Sequence, residues 1–226
     1  VSESLKKDTF RHFSVTNDIE VIPNFVEHQL YRNEPTPEDL LRKKAIAPNG
    51  ERILSHVSNF RKVKRIEDVV RVFEKVRQKI PVKLVLAGDG PERFKIEELC
   101  KELKICGDVE LLGNVQNPSE IYCLSDLFIL PSQTESFGLA ALEALASGVP
   151  VISSNSGGLP EVNEHGISGF LSNVGDVEDM ANNTLKILES DESLERFRAG
   201  AYQQAKKFDI HTILPLYENL YNRVIK

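Results

Sequence analysis

From Arg52 onward, short apolar runs alternate with amphipathic stretches, and this alternation constrains the fold more than any other feature of the chain. Ile53–Val57, Val82–Ala87, Val109–Leu112, Leu127–Leu130, Pro150–Ser153 and Gly169–Leu171 read as strands. Ile66–Lys79, Glu92–Lys104, Ser119–Leu124 and a stretch starting near Gly138 read as the helices between them, with Val69, Val70, Phe73 and Val76 on one face of the first. Strands alternating with helices imply an α/β fold with a parallel, doubly wound sheet. Ligands on such sheets bind outside the carboxyl ends of the strands.

The two ends differ from this pattern. Val1–Phe13 reads as a polar helix, Ile19–Ile22 as a lone strand, and Glu34-Pro-Thr-Pro37 as a linker. At the far end, Asp176–Ser190, Ser193–Lys207 and His211–Lys226 read as consecutive helices, with Phe208-Asp209 separating the last two.

With 226 residues, 41% of them hydrophobic, the chain is large enough for a proper core. A net charge of −6 argues against a nucleic-acid surface. Cys100, Cys106 and Cys123 make no CxxC pair, and an odd count without a framework fits a reducing compartment, hence the cytoplasm. No signal-peptide pattern opens the chain and no apolar run suits a membrane span. The five histidines have no metal spacing, and His56, inside a strand, reads as a satisfied core residue.

The segment richest in chemistry is Glu135-Ser-Phe-Gly-Leu-Ala-Ala-Leu-Glu143, which follows a strand and runs into a helix. A loop feeding a helix N-terminus offers free N–H groups and the positive end of a dipole, a setting that suits a phosphate. Glu135 and Glu143 bracket it, and carboxylates beside a phosphate site are better matched to sugar hydroxyls. Together these features suggest a nucleotide-sugar site. After the first strand, Ser58-Asn-Phe-Arg-Lys-Val-Lys-Arg65 holds four cations within five residues. It reads either as a solvated basic loop or as the charge that a departing diphosphate needs. Gly88-Asp-Gly-Pro91, Leu112-Gly113 and Ser156-Gly-Gly-Leu-Pro-Glu161 end strands at the same edge, as plain turns or as places of close backbone approach to a ligand.

Glu135-Ser-Phe-Gly-Leu, with Glu143 eight positions later and Ala144-x-Ala-x-Gly-x-Pro-Val151 following, resembles the signature of retaining GT-B glycosyltransferases of family 4. The resemblance extends through Ile22-Pro-Asn-Phe, Leu86-Ala-Gly-Asp-Gly-Pro-Glu92, Leu112-Gly113, Asp126 with Pro131-Ser132, and Gly157-Gly-Leu-Pro-Glu161. Val57–Arg65 and Val1–Leu5 are similar, more narrowly, to the malate-glycosylating branch that serves bacillithiol biosynthesis.

The resemblance implies a Rossmann-like donor domain over 36–210, a remnant of an N-terminal acceptor domain with its linker over 1–35, and a C-terminal helix over 211–226 returning toward that remnant. It implies UDP-N-acetylglucosamine as donor, L-malate as acceptor, and transfer with retention and without a metal or other cofactor. Glu135 would contact the donor sugar. Ser136, Phe137, Gly138 and Leu139 would hold the distal phosphate, and Glu143 the ribose diol. Lys64 fits the diphosphate-binding lysine. The arginine usual five residues earlier is Asn59 here, with Arg61 the nearest substitute. Gly88, Leu112 and Gly113 would lie near the base or ribose.

The acceptor domain is not represented, so this chain alone is expected to bind a donor without transferring it, and to self-associate through apolar surface on its last helix. A UDP-sugar epimerase of the same architecture and a non-catalytic UDP-sugar-binding module are the competing readings. A dinucleotide-dependent oxidoreductase is disfavoured, because no G-x-G-x-x-G follows a first strand.

Overall fold

A computed structural model describes residues 1–31 and 35–225. Six parallel strands form one sheet: β1 (Arg52–Val57), β2 (Val82–Ala87), β3 (Val109–Gly113), β4 (Leu127–Leu130), β5 (Val151–Ser154) and β6 (Gly169–Ser172). Their order is β3-β2-β1-β4-β5-β6. The strand order therefore reverses direction between β1 and β4, where Leu54 pairs with Leu127 and Ser55 with Phe128. This is the Rossmann-like arrangement, and the crevice at the reversal is where such sheets take ligands.

The strands are apolar on both faces, as a parallel sheet covered on both sides requires. Leu54 of β1 and Leu127 and Ile129 of β4 face one core, built with Val69, Phe73 and Val76 of α3 (Ile66–Arg77), Ile96 of α4 (Arg93–Glu102) and Met180 and Ile187 of α8 (Val177–Leu188). Phe128 and Leu130 face the opposite core with Ala141, Leu142 and Leu145 of α6 (Leu139–Ala146) and Ala201 and Ala205 of α9 (Asp191–Lys206). Ile53 faces a third cluster with Ile121 and Leu124 of α5 (Ser119–Leu124). The short α7 (Leu159–Val162) lies between β5 and β6.

Two expectations for the N-terminal part are corrected. Ile19–Ile22 is not a strand: among the described residues no edge pairs with it, and an unpaired segment has no ladder to join. Of Glu34-Pro-Thr-Pro37, Glu34 lies outside the described residues, and the rest begins a helix that composition concealed. Thr36 caps α2 (Pro37–Ile46) in a capping box with Asp39, and Pro37 takes the first helical position. Helix α1 (Glu3–His12) matches its expectation.

The segment after α1 lies against α10 (Ile210–Val224). Val26 N–H donates to the Phe208 carbonyl at 3.1 Å, Ile210 N–H donates to the Val26 carbonyl at 2.9 Å, and Arg223 pairs with Glu20 at 2.5 Å. The outer face of α10 leaves Leu214, Leu216, Tyr221 and Val224 exposed.

At the amino ends of the strands, buried Asp126 joins the elements. It accepts from Ile53 N–H at 2.9 Å, Lys43 Nζ at 3.0 Å and Arg198 Nη2 at 2.8 Å. Asp126, one of the residues carrying the family resemblance, is therefore a structural anchor at the edge opposite the crevice. A cleft of about 350 Å³ at that edge is lined by Lys43 and Arg198, both already committed to Asp126.

Candidate active site

The loops after β1 and β4 meet at the strand reversal. Lys64 Nζ donates to Glu135 Oε1 at 2.6 Å, and Ser132 Oγ donates to the same oxygen at 2.8 Å. Both members of the ion pair are mostly buried, with side-chain exposures of 21% and 14%. Lys64 is placed by a 3-10 turn, Lys62–Lys64, which ends in Arg65 in the left-handed conformation at φ 52°. Arg65 leaves the cluster to bind Asp68 at 2.6 Å. Arg61 and Asn59 are exposed beside them.

Past Glu135 the chain turns through Gly138, at φ 102° and ψ 50°, into α6, whose N-terminus has no side-chain cap. A left-handed residue there favours glycine, and a Cβ would lie 2.6 Å from Leu159 Cδ2, which would have to shift. The first amides of α6 thus remain open donors at the positive end of the helix. Phe137 is buried, packing edge-on against Phe208 with ring centroids 5.6 Å apart, so only its backbone serves the loop.

Glu143, one turn along α6, accepts from the Tyr122 hydroxyl at 3.0 Å. Tyr31 also hydrogen-bonds it. Burial holds the Glu143 carboxyl above its usual range, against the pull of the two hydroxyls. Burial, then the charge of Glu143, pushes Tyr31 up to about 12, and raises Tyr122 well above its ordinary value. Sequence reasoning missed both tyrosines. Nothing local in the sequence joins Tyr122 or Tyr31 to Glu143.

The glycines are occupied by protein backbone. A Cβ on Gly88 would lie 1.8 Å from the Ser58 carbonyl oxygen, and one on Gly157 2.1 Å from that of Glu135. Both glycines let one loop pack on another and so shape the crevice. Leu112 is partly buried against the third cluster, and Gly113, at φ 67°, accepts from Gly88 N–H at 2.7 Å. From β1, which precedes Lys64, to β3 is two strand spacings, about 10 Å, so these residues stand to one side of Lys64 along the same edge.

His56 is a satisfied core residue, as read. Its Nδ1 lies 2.7 Å from the Ile129 carbonyl and its Nε2 2.7 Å from Ser58 Oγ, and burial lowers its pKa to about 4. Among the described residues no group of three metal-ligating side chains occurs, and no helix is long and apolar enough to cross a membrane.

Residues 37–204 match the family model described as glycosyl transferases group 1. Over its whole length the chain is 40% identical to N-acetyl-alpha-D-glucosaminyl L-malate synthase of Bacillus anthracis, spanning 59% of that protein. Over 68% of its length it is 34% identical to 2-deoxystreptamine N-acetyl-D-glucosaminyltransferase of Niallia circulans, spanning 40% of that enzyme. Among solved structures, sucrose-phosphate synthase of Thermosynechococcus elongatus superposes with a TM-score of 0.88 at 26% identity, covering all of this chain and 57% of that one. Anabaena HepE, in complex with UDP and glucose, superposes with a TM-score of 0.79 at 25% identity, covering 89% of this chain and 56% of its own.

Proposed function

This chain belongs to the group 1 glycosyl transferases, and on that premise we propose that it is the donor-binding half of a retaining enzyme that transfers N-acetylglucosamine from UDP-N-acetylglucosamine. The observation that carries the reading is the Lys64–Glu135 ion pair at the strand reversal, beside the uncapped start of α6. In this reading the Lys64 ammonium and the amides of Phe137, Gly138 and Leu139 hold the distal phosphate. Arg61, exposed at the rim, meets the diphosphate from the solvent side. Glu143 takes the ribose diol, its oxygens aligned by Tyr122 and Tyr31. Leu112 and Gly113 lie toward the base, and Glu135 binds the donor sugar.

As the glycosidic bond breaks, negative charge grows on the leaving diphosphate. Fixed positive groups then stabilise the transition state more than the ground state. The acceptor hydroxyl passes its proton to the departing phosphate oxygen and attacks from the face that the diphosphate leaves, which retains the anomeric configuration. The diphosphate charge is met by side chains and amides, so the reading requires no divalent metal.

L-malate is the proposed acceptor, on the strength of the full-length likeness to the B. anthracis synthase. The chain spans about three fifths of that relative, so the acceptor groups are assigned to residues beyond these. This chain alone is expected to form no malate glycoside, because half a cleft cannot hold both reactants in attack geometry.

Calorimetry with UDP, UDP-N-acetylglucosamine, UDP-glucose and GDP, each in the presence of a chelator, tests the proposal. UDP and UDP-N-acetylglucosamine should bind and GDP should bind far less. A chain that binds none of them is not a donor half, and binding that needs added magnesium or manganese removes the metal-free part.

A further inference from the structure

The donor loop is gripped from a part of the chain remote in sequence. Ser2 is 1% exposed; its hydroxyl donates to the Ser136 carbonyl at 2.6 Å while accepting from Leu5 N–H at 3.0 Å. Glu161 spreads its carboxylate over the next two amides of α1, accepting from Glu3 N–H and Ser4 N–H, each at 2.9 Å. Glu161 follows Gly157 and Gly158, whose backbones lie against Glu135–Phe137, and Gly158 N–H donates to the Glu135 carbonyl at 2.8 Å.

Two consecutive loop carbonyls, those of Glu135 and Ser136, are therefore each held by a donor. In a trans peptide the N–H points opposite to the C=O, and the described chain has no cis bond. Holding these carbonyls turns the N–H groups of Ser136 and Phe137 away from Gly158 and Ser2. Capping α1 asks only that the Ser2 oxygen accept a bond. Its second bond, to Ser136, adds nothing to the cap itself and ties the start of α1 to the loop.

We infer that Ser2 and Glu161 are positioning residues that lock the Ser136–Phe137 peptide in the orientation that presents the Phe137 N–H to the distal phosphate. The inference rests on the donor-site reading above and adds to it a dependence of the phosphate loop on the segment carrying α1. Neither residue touches the donor. Each acts through the loop, Ser2 directly and Glu161 by seating α1 so that Ser2 reaches Ser136.

The test compares Ser2→Ala, Ser2→Thr and Glu161→Gln with the wild-type chain, using UDP and uridine as probes and amide NMR of Phe137 and Gly138 without ligand. Ser2→Ala should shift the Phe137 amide resonance and weaken UDP about fivefold, the size of one net hydrogen bond, while uridine is unchanged. Ser2→Thr keeps the hydroxyl and should restore both readouts. Glu161→Gln, which releases α1 without altering Ser2, should move the same amide in the same direction. A Ser2→Ala chain with an unmoved Phe137 amide, or with equal losses for UDP and uridine, overturns the inference while leaving the donor reading intact. A wild-type chain that binds no nucleotide overturns both.

Discussion

Replacing Glu135 by Gln should make the chain bind UDP more tightly. Glu135 shares the Lys64 ammonium at 2.6 Å and is only 14% exposed, so its charge sits where the diphosphate must arrive. A phosphate oxygen bonded to the same ammonium would lie about 5 Å from the carboxylate. At an effective dielectric of about 20, two unit charges at that distance repel by about 3 kcal/mol. Salt screening, and the greater freedom of a Lys64 that has lost its ionic partner, reduce this to about 1–2 kcal/mol, or roughly tenfold in affinity. The sugar nucleotide should behave differently, because Glu135→Gln also loses a charged acceptor for sugar hydroxyls. The ratio of the Kd for UDP-N-acetylglucosamine to that for UDP should therefore rise about tenfold. Calorimetry at two salt concentrations reads both numbers, and the gain for UDP should shrink at the higher one. If Glu135→Gln binds UDP no better than wild type, the carboxylate does not compete for Lys64 and the assigned roles are wrong.

Other substitutions report on separate parts of the argument. Asp126→Ala should cost about 3 kcal/mol in urea unfolding, since it strips a buried acceptor from the Ile53 amide and from Lys43 and Arg198; a loss below about 1 kcal/mol would show that the anchor is dispensable. His56 has a folded pKa near 4 against 6.5 unfolded, so the unfolded chain takes up a proton that the folded chain refuses. Stability should thus be full above pH 6.5 and fall as pH drops toward 4, by about 3 kcal/mol from this group, and His56→Gln should flatten that slope. Gly158→Ala would put a Cβ 2.7 Å from the Phe137 Cα, whereas Gly107→Ala meets nothing within 4 Å; UDP affinity should fall at least tenfold in the first and stay unchanged in the second. Glu143→Gln should weaken UDP more than 2′-deoxy-UDP, and equal losses would remove Glu143 from the ribose.

What was legible in the sequence was whatever depends on neighbours along the chain. β4 and α5 have the bounds that apolar run and periodicity imply, and the loop between β4 and α6 announces itself by Gly138 after a buried strand. Ile19–Ile22 misled because apolar alternation describes a strand only when an edge is present to receive it, and here the segment lies along α10. Helix α2 was hidden behind two prolines, although Thr36-Pro-Glu-Asp39 is a capping signal that outweighs them. The glycines after the strands were legible as close approaches but not as to what approaches: Gly88 and Gly157 receive protein carbonyls. Tyr31 and Ser2 stayed invisible because each reaches its partner, Glu143 or Ser136, across more than a hundred residues.

The pairing of β1 with β4 has a consequence for how the protein comes together. Leu54 and Leu127 are partners 73 residues apart, a longer closure than that joining β1 to β2 or β4 to β5. Lys64 follows one of these strands and Glu135 the other, so they meet only when that closure is made. Closing a long loop is entropically dear, and contacts that depend on it form late. The crevice is therefore expected to form after each half of the sheet and to vanish when the halves part. A ligand bridging Lys64 and α6 would bind only the joined sheet, slowing hydrogen exchange through the parting of its halves by a factor of one plus the ratio of free ligand concentration to Kd.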